Sequence, residues 1–144
     1  MKELAEQPIL ITIEAQVDAP VEKVWEFWTL PKHIMQWNNA ADDWHTTKAE
    51  NDVRAGGAFS SRMEAKDGSF GFDFGGVYDE VKPNELLAYT LGDGRKVKIL
   101  FGQQGNQTKI TETFGAEEQN TIALQEFGWQ SILNNFKKYA EANK

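Results

Sequence analysis

Cysteine is absent from the 144 residues, so the chain has no disulfide framework, no thiolate zinc site and no cysteine nucleophile. Arginine occurs only at Arg54, Arg62 and Arg95, and histidine only at His33 and His45. With a formal net charge of −7 and no cluster of Lys or Arg, the chain would repel a phosphate backbone, so nucleic acid is not an expected partner. No apolar run approaches the roughly 20 residues that span a bilayer, and no membrane partner is expected. Residues Met1 to Gln7 lack the apolar core of a signal peptide, so the expected location is cytoplasmic. There is no G-x-S-x-G elbow, and the glycines at 68, 71, 75 and 76 match no phosphate-binding fingerprint and precede no helix. A metal site would need His45 plus carboxylates, a thinner ligand set than such sites use, so neither metal nor cofactor is expected. Asn106-Gln107-Thr108 fits a glycosylation acceptor but reads as a turn.

Hydrophobic residues make up 40% of the chain, with five Trp, nine Phe and three Tyr, enough for one domain over residues 1–144 with a real core. Most of it alternates with period two. Ile11, Ile13, Ala15 and Val17 share one face of a first strand. Asp18-Ala19-Pro20 starts a short helix carrying Val21, Val24, Trp25 and Trp28 on one side, and Leu30-Pro31 breaks it before a second short helix ending near Trp37. From Asp43 the pattern is strand and turn. Phe59, Ser61, Met63 and Ala65 share a face; Phe70, Phe72 and Phe74 alternate on the return strand, which Gly75-Gly76 interrupts as a bulge or bend. Leu87, Tyr89 and Leu91 form the next face, then Val97, Ile99 and Phe101, then Thr108, Ile110, Glu112 and Phe114. Asp67-Gly68, Asp93-Gly94 and Gly105-Asn106 are hairpin signals, and Pro83-Asn84 is a further turn.

Thr121 to about Asn143 changes to helical spacing. Ile122, Trp129, Leu133, Phe136 and Ala140 form an apolar stripe, widened by Ile132. Such a face must lie on something apolar, and the rest of the chain offers a sheet. The order is strand, two short helices, six strands in a meander, long helix. Hairpin signals argue for antiparallel pairing, and segregated helices for an α+β fold.

Ala19-Pro20-Val21-Glu22-Lys23-Val24-Trp25, then Trp37, then Asp52-Val53-Arg54-Ala55-Gly56-Gly57, resemble the START-like (SRPBCC) superfamily. Gly76-Val77-Tyr78-Asp79-Glu80-Val81-Lys82-Pro83, with Leu87 and Tyr89 and the tail Gly128-Trp129-Gln130, resemble its branch named after the activator of the ninety-kilodalton heat-shock protein's ATPase. The resemblance spans roughly residues 9–142. It implies a helix-grip fold, in which a curved antiparallel sheet of about six or seven strands wraps the C-terminal helix around a cavity. Superfamily members bind lipids, sterols, hormones or polyketides, and a few catalyse cyclisation or dehydration.

On this basis Trp37, Phe59, Met63, Phe72, Phe74, Tyr89, Phe101 and Trp129 are candidate cavity residues, with plain core packing as the alternative for each. Glu112 shares parity with Ile110 and Phe114. An unbroken strand would aim it inward, where burial would raise its pKa and make it a polar anchor or general acid/base. The favoured alternative is a bulge or strand end that returns it to water. Of Trp44 and His45, on opposite faces, one sees the interior; His45 is a candidate cavity hydrogen-bonding group, with a satisfied edge histidine as the alternative. Gln125, on the flank of the stripe, is a further candidate cavity residue, and Gly128, unfavourable in a helix by about 1 kcal/mol relative to Ala, suggests close packing or ligand access; the alternative is a helix whose first turns contact polar loops. Leu124 and Phe127 fall off the stripe and could cover the end of the barrel or a dimer interface.

The expected function is non-enzymatic binding of a small apolar or amphipathic molecule. The alternatives are a co-chaperone-like partner module and a cyclase or dehydratase using Glu112 and His45, and pairing of the chain as a homodimer is left open.

Overall fold

Strand β1 (Leu10–Val17) comes first in this computed structural model, which describes residues 9–144. The reading of Met1 to Gln7 lies outside the described residues. The alternation of Ile11, Ile13, Ala15 and Val17 becomes a strictly alternating burial pattern, as a strand with one covered face requires. Pro20 then caps helix α1 (Val21–Thr29) from an extended conformation, its ring fixing φ at −68°. Pro31 begins α2 (Pro31–Trp37). Its ring bars the helical conformation from Leu30, which is extended at φ −79° and ψ 129°, so α1 must end there. Val21, Val24 and Phe27 are buried, while Trp25 and Trp28 meet Phe101 edge-on at 5.3 and 5.7 Å.

Six strands follow: β2 (Trp44–Asn51), β3 (Ala58–Ala65), β4 (Gly71–Lys82), β5 (Leu86–Leu91), β6 (Lys96–Gln104) and β7 (Gln107–Gly115). They form an antiparallel meander to which β1 adds at the far edge, in the order β1-β7-β6-β5-β4-β3-β2. Helices α1 and α2 carry the chain from one edge of this seven-stranded sheet to the other. Gly56, Gly68, Gly94 and Gly105 have φ of 85°, 78°, 93° and 64° in four of the meander's five turns, and Asn84 has φ 66° in the other. These are left-handed conformations that glycine adopts freely and asparagine tolerates.

Gly75-Gly76 behaves otherwise. The β4 register against β3 runs unbroken from Gly71 opposite Glu64 to Val77 opposite Ala58, and the β4 irregularity lies between Tyr78 and Glu80, facing β5. The glycines instead admit the neighbouring backbones. A Cβ on Gly75 would overlap the Phe59 carbonyl oxygen, and one on Gly76 the Thr90 carbonyl oxygen. Because a backbone cannot swing aside as a side-chain tip can, Gly76→Ala is expected to cost about 2–3 kcal/mol in urea unfolding; a loss below about 0.5 kcal/mol, the usual range for an unconstrained surface site, would contradict this.

Helix α3 (Ile122–Asn143) lies on the concave face. Thr121 caps it, its Oγ1 accepting a hydrogen bond from the Leu124 amide at 3.1 Å. Leu133, Phe136 and Ala140 are essentially inaccessible and carry the attachment to the core. The Glu14 carbonyl accepts from Gln130 Nε2 at 3.1 Å, and Glu141 Oε2 accepts from the Asp18 amide at 2.9 Å, fixing the helix to β1 and its end. The stripe begins later than its spacing implies. Ile122 is exposed, and the first buried side chain of the helix is Gln125.

Candidate functional site

The later half of α3 fills the space between helix and sheet; the earlier half does not. A cavity of about 400 Å³ lies beneath Leu124, Gln125, Gly128, Trp129 and Ile132, between them and strands β2 to β5 and β7. Its size falls in the range of about 300–1,000 Å³ typical of small-molecule sites.

One wall is a continuous run of rings. Phe59 meets Tyr89 edge-on at 4.7 Å and Tyr78 at 5.2 Å, Phe74 lies 6.1 Å from Phe59, and Trp129 of α3 closes on Phe74 at 6.0 Å. Trp129 is held in place by stacking on buried Phe114, with centroids 3.9 Å apart and planes within 8°. At the other end stand Trp28 and Trp37, whose rings are 4.9 Å apart; the Trp37 indole N–H donates to the Phe27 carbonyl at 2.9 Å, so this buried tryptophan leaves no unmet donor. Met63, Ser61 and Phe72 complete the sheet side.

The polar groups are few. Glu112 is paired without interruption to Ile13 on one side and Ile99 on the other, so its side chain follows the inward parity of Ile110 and Phe114 and is only 6% exposed. No bulge returns it to water. No hydrogen bond from the described residues bears on its carboxyl, which borders the cavity, and burial alone pushes its pKa from 4.5 up to about 8. At neutral pH it is therefore mainly a protonated acid. Tyr89 is raised well above 10, first by burial and then by the neighbouring Glu112 and Tyr78. The Tyr78 hydroxyl donates to Asn51 Oδ1 at 2.6 Å, and Asn51 Nδ2 donates to the Thr29 carbonyl at 2.8 Å, joining β4 to β2 and α1. Burial pushes the Tyr78 phenol up to about 12.

Gln125 borders the cavity with its amide already engaged. Its Oε1 accepts from the Glu117 amide at 2.8 Å, and its Nε2 donates to the carbonyls of Glu117 and Asn120 at 3.0 and 2.8 Å. The side chain borders the cavity, but its amide is engaged in holding the loop before α3. Arg95, also at the border, donates to Asp93 Oδ2 at 2.7 Å and to the Gly115 carbonyl at 3.1 Å.

Trp37, Phe59, Met63, Phe72, Phe74, Tyr89, Glu112, Gln125 and Trp129 are thus brought together around one space. Two candidates are not. Phe101 points inward but lies beneath Trp25 and Trp28, as core. His45 faces away: Thr46, opposite Met63, is buried on the inner face, so His45, opposite Glu64, takes the outer one. Glu112 and His45 therefore form no acid/base pair. Sequence reasoning missed Tyr78, which keeps the parity of Phe72 and Phe74 once β4 is recognised as continuous through its glycines. It named Ser61 on the right face without placing it in the cavity. Asn51, Arg95, Glu117 and Asn120 sit at strand ends and turns, where no periodic signal exists. Among the described residues no group of three or more His, Asp and Glu is placed to hold a metal ion, and no helix is long and apolar enough to cross a membrane.

A curled antiparallel sheet gripping a C-terminal helix, with an aromatic cavity under the first half of that helix, defines the helix-grip class. Within it, the chain belongs to the family of Activator of Hsp90 ATPase homolog 1-like proteins, whose model matches residues 18–141. The solution structure of an AHSA1-like protein from Aeromonas hydrophila is 45% identical, covers 93% of both chains and superposes with a TM-score of 0.88. Chr148 from Cytophaga hutchinsonii is 56% identical over 92% of both chains, with a TM-score of 0.80. CV1439 from Chromobacterium violaceum shares the fold, with a TM-score of 0.81 at 23% identity over 92% of this chain and 96% of its own. No curated protein matches the chain significantly.

Proposed function

We propose that this protein binds a small apolar or amphipathic molecule in the cavity between its sheet and α3, without transforming it. One observation carries the reading: the earlier half of α3 spans open space that a filled core would occupy. At Gly128, in the middle of that half, an added Cβ would meet nothing within 4 Å. Glycine is unfavourable in a helix interior by about 1 kcal/mol, no close packing requires it here, and its place in the cavity lining supports a role in access. Aromatic walls with a few polar groups suit an apolar chain carrying one polar end.

The test is blockage. Decanol binding, followed by tryptophan fluorescence from Trp37 and Trp129, should saturate in the wild type and weaken at least tenfold in Gly128→Phe. The variant should melt no lower than the wild type, because its helix improves. Equal affinity in both proteins, or no saturable binding, would contradict the reading.

A second reading, a partner-docking module, is favoured by the exposure of Leu124 at 56% and Phe127 at 71%. Leu124, however, also borders the cavity, where an apolar rim serves ligand entry as well. Only Phe127 stands outside it, and a single exposed ring is ordinary on a protein surface.

A further inference from the structure

We propose that the cavity selects a lipophilic amine, whose protonated head pairs with Glu112 while its apolar part lies among the surrounding rings. This rests on the cavity being a ligand site and specifies which class of ligand it takes.

A buried carboxyl is tolerated when something pairs with it, and none of the described residues does. The ladder neighbours of Glu112, Ile13 on β1 and Ile99 on β6, are apolar. The groups on the elements around it are Tyr89 of β5 and Tyr78 of β4, both uncharged, and Gln125 of α3, whose amide is engaged with the Glu117–Asn120 loop. Among the described residues Arg95, in the turn between β5 and β6, is the one cationic side chain bordering the cavity, and it is held by Asp93 and the Gly115 carbonyl. Glu50 of β2 and Glu117 of the loop before α3 add acidic groups at the border, so ionisation of the site leaves it net negative. An anionic ligand would meet these charges without a free cation to receive it.

A cation finds the opposite. Phe59, Tyr78, Tyr89 and Trp129 line the cavity, and aromatic rings of this kind attract an ammonium group. The Glu112 carboxylate, with Ser61 and Tyr89 oxygens on the same cavity, offers acceptors for ammonium N–H donors. A neutral hydroxyl ligand would use the same space but gain no charge pairing.

The proton balance gives this inference a signature. Glu112 holds a proton at neutral pH, and pairing with an ammonium ion requires the carboxylate, so binding near pH 7 releases one proton from the carboxyl to buffer. Affinity for the amine should rise up to roughly fiftyfold from pH 6 to pH 8 as the ionised fraction grows, then level off until the amine itself loses its charge. Decylamine, decanol and decanoate, titrated by calorimetry at pH 6, 7 and 8.5 in buffers of differing ionisation heat, separate the outcomes. Decylamine should bind at least tenfold more tightly than decanol at pH 8.5 with proton release near pH 7. Glu112→Gln should abolish that advantage and the proton release, since breaking a buried charge pair typically costs roughly thirtyfold or more. Equal binding of decanol and decylamine, preference for decanoate, or an amine advantage that survives Glu112→Gln would overturn the inference while leaving a ligand site. Failure of all three probes to bind would overturn the ligand site itself, and this inference with it.

Discussion

Glu112→Gln should stabilise the protein by about 5 kcal/mol above pH 8 and leave it unchanged below pH 4. In the folded protein the carboxyl keeps its proton up to about pH 8, whereas an ordinary glutamate loses it near 4.5. Between those values the folded state binds more protons than the unfolded state, so stability from this group falls as pH rises. The loss is complete once the folded carboxyl itself ionises. Glutamine fills the same volume, never ionises and escapes the loss. At pH 7 the gain should be about 3 kcal/mol, and above pH 8 the melting temperature should rise by about 10–15 °C. Urea unfolding of both proteins from pH 4 to 9 gives the difference curve. A flat curve would mean that Glu112 is not buried as an acid.

Phe136→Ala should lose about 3–5 kcal/mol. Phe136 is fully buried, and its ring meets Trp28 at 4.7 Å and Trp37 at 4.9 Å, so it joins α3 to both short helices. Trp37 is fixed by its hydrogen bond to the Phe27 carbonyl and cannot move far to fill the void. Trp28 and Trp37 also line the cavity, so the deletion should weaken decanol binding as well as stability. A loss under about 1.5 kcal/mol, within the range of volume-conserving swaps, would show that the helix is held chiefly by its polar ties to β1.

Much of the fold was legible because its signals are local. Parity identified the inward faces of β1, β3, β5, β6 and β7, and the hairpin glycines marked the turns where positive φ is needed. What failed depended on partners distant in sequence. Gly75-Gly76 looks like a break when read alone, and only the carbonyls of Phe59 and Thr90 on neighbouring strands explain it. The orientation of Glu112 turned on an unbroken register with Ile13 and Ile99, which no single strand reveals. Choosing between Trp44 and His45 required the pairing of Thr46 with Met63. Phe101 has the right parity, but its place along β6 sets it under the α1 tryptophans. Ile122 has the right spacing, yet the first turn of α3 leaves it exposed. Parity thus tells which side of the sheet a residue faces, and register tells whether it meets core or cavity.

The central claim, that the space under the first half of α3 receives a ligand, is tested most directly by mapping. In isotope-labelled protein titrated with decanol, saturable chemical-shift changes should centre on the Gly128 and Ser61 amides and the Trp37 and Trp129 indoles. Val77 and Leu100, exposed on the outer face of the sheet, should stay unmoved. Changes centred on that outer face, or none that saturate, would contradict the claim.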